Sequence, residues 1–315
     1  MAPERTRHRI ILDCDPGQDD AIAILLALGS PDEIELLAVT AVAGNVPLAL
    51  TEKNARKVLE LARRSDIPVY KGCHRPLVET LETAEYVHGE TGLNGVDLPE
   101  PVLPLAKGHA VDALIDIVMA APPRSITLCP TGPLTNVAMA MLKEPEFAQR
   151  LEAIVLMGGA IGLGNVTPAA EFNIYVDPHA AKVVFASGVP LTMLGLDVTH
   201  KVLVNRPRLE ALRALGTPVG LAAAGLVDFF NRFDSERYEA DGAPLHDPCV
   251  IAYLIDPTLF SGKACRVSIE TEGSSKGRTN VDWFPRERRD ANATVIDAVD
   301  ADGFFALLTK RLARL

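Results

Sequence analysis

The chain has 315 residues, with 31 Lys and Arg against 41 Asp and Glu, a formal net charge of −10; an unspecific grip on nucleic-acid phosphates needs the opposite sign. Hydrophobic residues make up 48% and charged residues 23%, enough to bury a sizeable core and outside the compositions of disordered chains. The apolar run 10–12 is too short for a signal peptide, and the run 21–28 falls well below the roughly 20 residues that cross a bilayer, so neither secretion nor a membrane span is expected.

Strand-length apolar runs at 9–15, 35–42, 68–71, 125–130, 153–158 and 191–196 alternate with helix-period segments at 19–28, 48–63, 110–121, 134–142 and 179–187. The strand runs are continuously apolar, as in parallel strands covered on both faces. Repeated strand–helix units predict an α/β fold: a mostly parallel, Rossmann-like open sheet with helices on both faces. Extra helices are expected in the C-terminal half, at 208–215, 221–238, 248–255 and 301–312, with short strands near 266–270 and 294–298. No repeat or linker-like stretch divides 1–315, which reads as a single domain. The Gly- and Pro-rich segment 72–109 is long for a loop in a compact domain and reads as a functional loop, a lid. Cys14, Cys73, Cys129, Cys249 and Cys265 are scattered, without the paired spacing of a zinc or redox site, and fit reduced thiols in a cytoplasmic protein.

The segment Asp13-Cys14-Asp15-Pro16-Gly17-Gln18-Asp19-Asp20 carries the densest chemical signal. Asp13 and Asp15 are two apart at the end of a buried strand and are expected on one face. Asp19 and Asp20 fall in the first turn of the following helix, where the helix dipole favours negative charge. Four carboxylates would then converge at the carboxyl end of a strand, the edge where open α/β sheets bind ligands. No Lys or Arg lies between Arg9 and Lys53, so a divalent cation is the economical counter-charge. An oxygen-only donor set points to Ca²⁺ or Mg²⁺ over zinc. Helix capping with solvated charge is the plain alternative. An EF-hand is excluded, because its Gly and Glu positions hold Gln18 and Ile24. A phosphatase of the haloacid-dehalogenase type, with Asp13 as nucleophile and Mg²⁺, is a rival. Such enzymes continue with Gly-Thr, where this chain has Pro16 and Gly17.

The run 10–21 is followed by Ala43-Gly44-Asn45, His88-Gly89-Glu90-Thr91-Gly92-Leu93, Thr131-Gly132-Pro133-Leu134-Thr135-Asn136 and Met157-Gly158-Gly159. Gly164-Asn165, Glu171-Phe172-Asn173, His246-Asp247-Pro248 and Gly277-Arg278-Thr279 complete the series. In content and order these segments resemble the inosine–uridine-preferring nucleoside hydrolases over nearly the whole chain. The resemblance implies cleavage of the N-glycosidic bond of a ribonucleoside, through an oxocarbenium-like transition state. It implies Ca²⁺ held by Asp15, Asp20, Asp247 and the carbonyl of Thr131, with Asp15 also taking a proton from the attacking water. His246 would protonate the leaving base. Asp19, Asn45, His88, Met157, Asn165, Glu171, Asn173 and Tyr238 would contact substrate. A homodimer or homotetramer is usual for such proteins.

Apart from the resemblance, Asp247-Pro248 reads equally as a helix N-cap with Pro at the first helical position. Asn45 and Asn165 follow glycines as turn residues do, and Glu171 and Asn173 fit a loop satisfying its own backbone. In the helix 221–238, Phe230, Asp234 and Tyr238 share one face at fourfold spacing, positioned to close over a base. The hydroxyl and amide of pyrimidine-preferring members do not match Phe230 or Asp234, so base preference stays open. Asn94 stands where many relatives have Asp. A nucleoside-binding protein without catalysis is the remaining alternative.

Overall fold

The computed structural model describes residues 7–238, 242–286 and 289–315, with the side chains of 232–238 outside that description. Its main sheet has eight strands: β1 (His8–Cys14), β2 (Ile34–Ala41), β3 (Val69–Lys71), β4 (Thr127–Pro130), β5 (Ala153–Met157), β6 (Leu191–Leu194), β7 (Phe260–Cys265) and β8 (Ala293–Val299). Their spatial order is β3-β2-β1-β4-β5-β6-β8-β7. Every neighbouring pair is parallel except β7 with β8. The α/β fold with a mostly parallel sheet is as expected from the sequence.

Burial on both faces follows from the period-two alternation of side chains within each strand. In β1, Ile10 and Leu12 join one apolar cluster, which also takes side chains from the helices Gln18–Leu28, Leu48–Leu61, Pro248–Ile255 and Ala301–Leu312. Ile11 joins the other, with the helices Ala110–Ala120, Thr135–Lys143 and Pro178–Phe185. A strand flanked by two such layers has no polar face, which explains its unbroken apolar run.

The strand order reverses at β1. The chain moves outward from β1 to β2 and β3, returns to β4 on the other side, and continues outward through β5 and β6. That reversal opens a crevice beyond the carboxyl ends of β1 and β4, the place where open sheets receive ligands. Residues Asp15 and Thr131 lie immediately past these two ends.

Strand β7 escaped the pattern reading, while the strand expected near 266–270 is present as Val267–Ile269. The edge strand β7 has exposed Ser261, Gly262, Lys263 and Ala264, so it lacks the apolar run of its parallel neighbours. The strand Val267–Ile269 leaves the main sheet to pair with Thr279–Val281. Segment 72–109 holds one short helix, Glu85–His88, and is otherwise irregular. No helix of the described residues is long and apolar enough to cross a membrane.

Candidate active site

The loop after β1 turns at once into the helix Gln18–Leu28, whose N-cap is Gly17. Asp20, in its first turn, accepts the backbone N–H of Gly17 on Oδ2 at 3.0 Å and the Thr131 hydroxyl on Oδ1 at 2.8 Å. Asp15 accepts the backbone N–H of Asn45 at 2.7 Å on Oδ2, while its Oδ1 is buried with no hydrogen-bond partner. Asp247 arrives from the far end of the chain. It occupies the N-cap position of the helix Pro248–Ile255, yet its side chain makes no capping bond there, so capping does not account for it.

Asp19, Asp20 and Asp247 each offer a carboxylate oxygen within 4.8 Å of the others, all three residues being buried. Among the described residues no Lys or Arg forms an ion pair with them or with Asp15. Burial, followed by mutual repulsion, pushes Asp15 and Asp247 well above the usual carboxylate range, and raises Asp20 to about 7. Burial also raises Asp19. The orphaned Asp15 oxygen and the oxygen-only cluster are what a hard divalent cation would fit.

Asp13 departs from the expected convergence. β1 ends at Cys14, so the alternation that would put Asp13 and Asp15 on one face does not run through Asp15. The Asp13 Oδ1 instead accepts from the Thr40 hydroxyl at 2.5 Å and the Asn136 amide at 2.8 Å. Burial raises its pKa to about 7. No other aspartate contributes to that shift, whereas Asp15, Asp20 and Asp247 repel one another, so Asp13 stands apart from the cluster.

A cleft lies over the carboxylates. Its walls include Asp19, Asn45, His88, Thr131, Met157, Asn165, Glu171, Asn173, His246 and Asp247, the residues singled out by motif. Asp15 and Asp20 are fully buried and absent from its walls. Tyr238 has its side chain outside the described residues.

Several of the polar residues also bind their own surroundings. Glu171 accepts three backbone N–H groups, from Gly159, Asn173 and Ile174, and burial still raises it to about 7. Asn173 donates to the Thr131 carbonyl at 2.7 Å and the Met157 carbonyl at 3.2 Å. Asn165 Oδ1 accepts the Phe172 N–H. Asn45 donates to the Asp15 carbonyl and to Asp20.

The other end of the cleft is aromatic. His246 Nδ1 lies 2.7 Å from the Thr199 hydroxyl, its ring 5.5 Å from that of His200 and edge-on to Phe230. Phe230 also stacks on His88 at 5.6 Å. Burial first, then the neighbouring imidazoles, holds His246 well below its usual pKa. Thr199 and His200 went unnoticed in the sequence because they follow β6 without a motif of their own. Phe230 was placed on the right helix face by its spacing alone.

A model of the inosine–uridine preferring nucleoside hydrolases matches residues 10–306. The pyrimidine-specific ribonucleoside hydrolase RihA of Salmonella arizonae is 48% identical over 305 residues, 96% of this chain and 97% of its own. The purine-preferring ribonucleoside hydrolase of Gardnerella vaginalis superposes with a TM-score of 0.90 at 35% identity, covering 97% of this chain and 98% of its own. A plant nucleoside hydrolase gives 0.89 at 34% identity, covering 98% and 99%. The carboxylate cluster at the sheet reversal and these likenesses across the whole fold agree: the chain belongs to the inosine–uridine preferring nucleoside hydrolase family, and it is a ribonucleoside N-glycosidase that releases ribose and a free base.

Proposed function

We propose that the acidic floor holds Ca²⁺ through Asp15, Asp20, Asp247 and the carbonyl of Thr131. The observation that carries this reading is the crowded, buried trio of Asp19, Asp20 and Asp247, with Asp15 close enough to repel Asp247 and, among the described residues, no basic residue paired to them. A hard ion bound there supplies the missing positive charge, acidifies water and offers coordination sites to ribose hydroxyls. Asp19 belongs to the same tight trio and also lines the cleft. Its duty in the proposal is to accept hydrogen bonds from the ribose.

Asp15 acts as general base, taking a proton from the attacking water, with the charge of a bound ion offsetting the burial and repulsion that otherwise favour its protonated form. Asn45, His88, Met157, Asn165, Glu171, Asn173 and Tyr238 orient the nucleoside. The hydrogen bonds that already fix most of these polar groups pre-organise the sugar end, so little rotamer entropy is lost on binding. His246, at the aromatic end, stands by the departing base and delivers its proton. Histidines 88, 200 and 246 with Phe230 line that end, a surface suited to either purine or pyrimidine by stacking and single hydrogen bonds. The protein is proposed to act as one domain in a cytoplasmic homodimer or homotetramer; light scattering tests the assembly.

The test of the whole is incubation with inosine, uridine, cytidine and a phosphomonoester, with and without chelator, while reducing sugar and phosphate are measured. Ribose release lost on chelation and restored by Ca²⁺ supports the reading. Chelation without effect removes the ion, and phosphate release removes the hydrolase chemistry.

A further inference from the structure

Gln18, the first residue of the helix that carries Asp19 and Asp20, joins its side chain to the segment 88–94 of the long loop. It is 1% exposed. Its Nε2 donates to two backbone carbonyls, those of His88 at 2.9 Å and Asn94 at 3.1 Å. Its Oε1 lies 2.7 Å from His88 Nδ1.

The orientation of that amide follows from its partners. Both carbonyls can only accept, so the amide nitrogen must face them, and the oxygen then faces the imidazole. An amide oxygen can only accept in turn. His88 Nδ1 must therefore carry the hydrogen. Burial lowers His88 to about 3, so near neutral pH the ring holds one proton, and Nε2 is left with a lone pair.

We propose that Gln18 is a positioning residue: by holding His88 as the Nδ1–H tautomer, it makes Nε2 a hydrogen-bond acceptor for a hydroxyl or N–H of the nucleoside. This rests on the reading of the cleft as the nucleoside site. Two more observations favour a fixed ring. A Cβ on Gly17 would stand 2.5 Å from His88 Nδ1, so the loop before Gln18 is shaped around the imidazole, and Phe230 backs its face. A second amide, Asn54 Nδ2, ties the same two segments by donating to the carbonyls of Pro16 and Thr91, but it does not touch His88. The two clasps thus separate lid seating from tautomer choice.

Proton-coupled ¹⁵N spectra of protein labelled at histidine test this directly, with the His88 signals identified by their loss in His88→Asn. The wild-type spectrum is expected to show Nδ1 protonated and Nε2 bare; the reverse overturns the proposal without any variant being needed. In Gln18→Met the single tautomer should be lost and KM for inosine and uridine should rise about tenfold, the weight of one hydrogen bond to a buried partner, with a smaller change in kcat. Asn54→Ala should keep the wild-type tautomer. A Gln18→Met protein with an unchanged tautomer or unchanged KM, or an Asn54→Ala protein with an altered tautomer, overturns it. The spectra need no turnover, so absence of hydrolysis sinks the functional reading, while hydrolysis with the wrong tautomer sinks only the role of Gln18.

Discussion

Thr199 Oγ1 lies 2.7 Å from His246 Nδ1, joining the short helix Leu196–Thr199 after β6 to the residue that precedes Asp247. Both partners are at the aromatic end of the cleft, and Thr199 is fully buried. A hydroxyl suits this position because it can donate to the bare Nδ1 of a neutral imidazole and accept from the Nδ1–H of a charged one. A proton leaving Nε2 of the charged ring would leave Nδ1–H in place, so the hydroxyl would accept from it both before and after the transfer proposed for His246. Thr199→Val keeps the shape and removes that partner, so kcat for inosine and uridine should fall about tenfold. Thr199→Ser should restore it. A riboside whose leaving group departs without protonation, such as a nitrophenyl riboside, should be cleaved by Thr199→Val at nearly the wild-type rate. Equal losses on both kinds of substrate would point to a general packing defect instead.

The contrast between Asp13 and Asp15 gives a second prediction. Both are fully buried and each leaves one oxygen without a hydrogen-bond partner, but the other oxygen of Asp13 is held by Thr40 and Asn136 and no other aspartate acts on it, while Asp15 is close enough to Asp19 and Asp20 to be repelled by them. Asp15→Asn should lower kcat by about 10² or more, because the proposed base and one proposed carboxylate ligand would be lost together. Asp13, with its pKa raised to about 7 by burial, is close to an amide in charge under acidic to neutral conditions. Asp13→Asn should stay within a few-fold of wild-type turnover near pH 6.5. The reverse ranking, measured by ribose release, would return the chemistry to Asp13.

Metal removal should change how stability depends on pH. Burial raises Asp20 to about 7 and holds Asp15 and Asp247 well above the usual carboxylate range, against about 3.9 in an unfolded chain. The folded metal-free protein therefore binds more protons than the unfolded chain between these values. Its stability is present at the acidic side and is lost as pH rises through the folded pKa values. The lowered pKa values of His88 and His246 act in the opposite sense, but only below about 6.5, where unfolded histidines take up protons. From pH 6.5 to 8, then, the melting temperature of chelator-treated protein should fall. Added Ca²⁺ should raise it, and by more at pH 8 than at 6.5. A calcium increment that is flat across this range, read by calorimetry, would take the ion out of the carboxylate cluster.

Much of this was legible because parallel strands covered on both faces announce themselves as unbroken apolar runs, as with Ile10, Ile11 and Leu12. The cluster at Asp19 and Asp20 was legible for a related reason, since charges in a helix's first turn keep their register with the strand before it. Asp13 was misread: period two holds only while the strand lasts, and β1 stops one residue before Asp15. Thr199 and Gln18 were hidden for another reason. Their partners lie 47 and 70 positions away, and a hydrogen bond between distant segments leaves no periodicity in the chain. The edge strand β7 was missed because a strand with one covered neighbour and a solvent side needs no apolar run.

Two glycines wall in Asp15, and they supply the last prediction. A Cβ on Gly44 would land on Asp15 Oδ2, far inside van der Waals contact, and would press Pro133 Cδ at 2.8 Å. A Cβ on Gly132 would stand 2.5 Å from Asp15 Oδ1 and 2.9 Å from its Cγ. Neither glycine has a left-handed backbone, so the requirement is for space beside the carboxylate and not for conformational freedom. Asp15 cannot simply turn away, because Oδ2 is held by the Asn45 N–H at 2.7 Å and rotation would break that bond inside the core. Gly44→Ala and Gly132→Ala should each reduce kcat by about 10² by misplacing the proposed base, a loss comparable to removing its function, and should weaken the proposed Ca²⁺ binding in parallel. Circular dichroism should show the secondary structure retained. If both variants bind Ca²⁺ and turn over inosine like wild type, Asp15 is not the base, whatever its burial suggests.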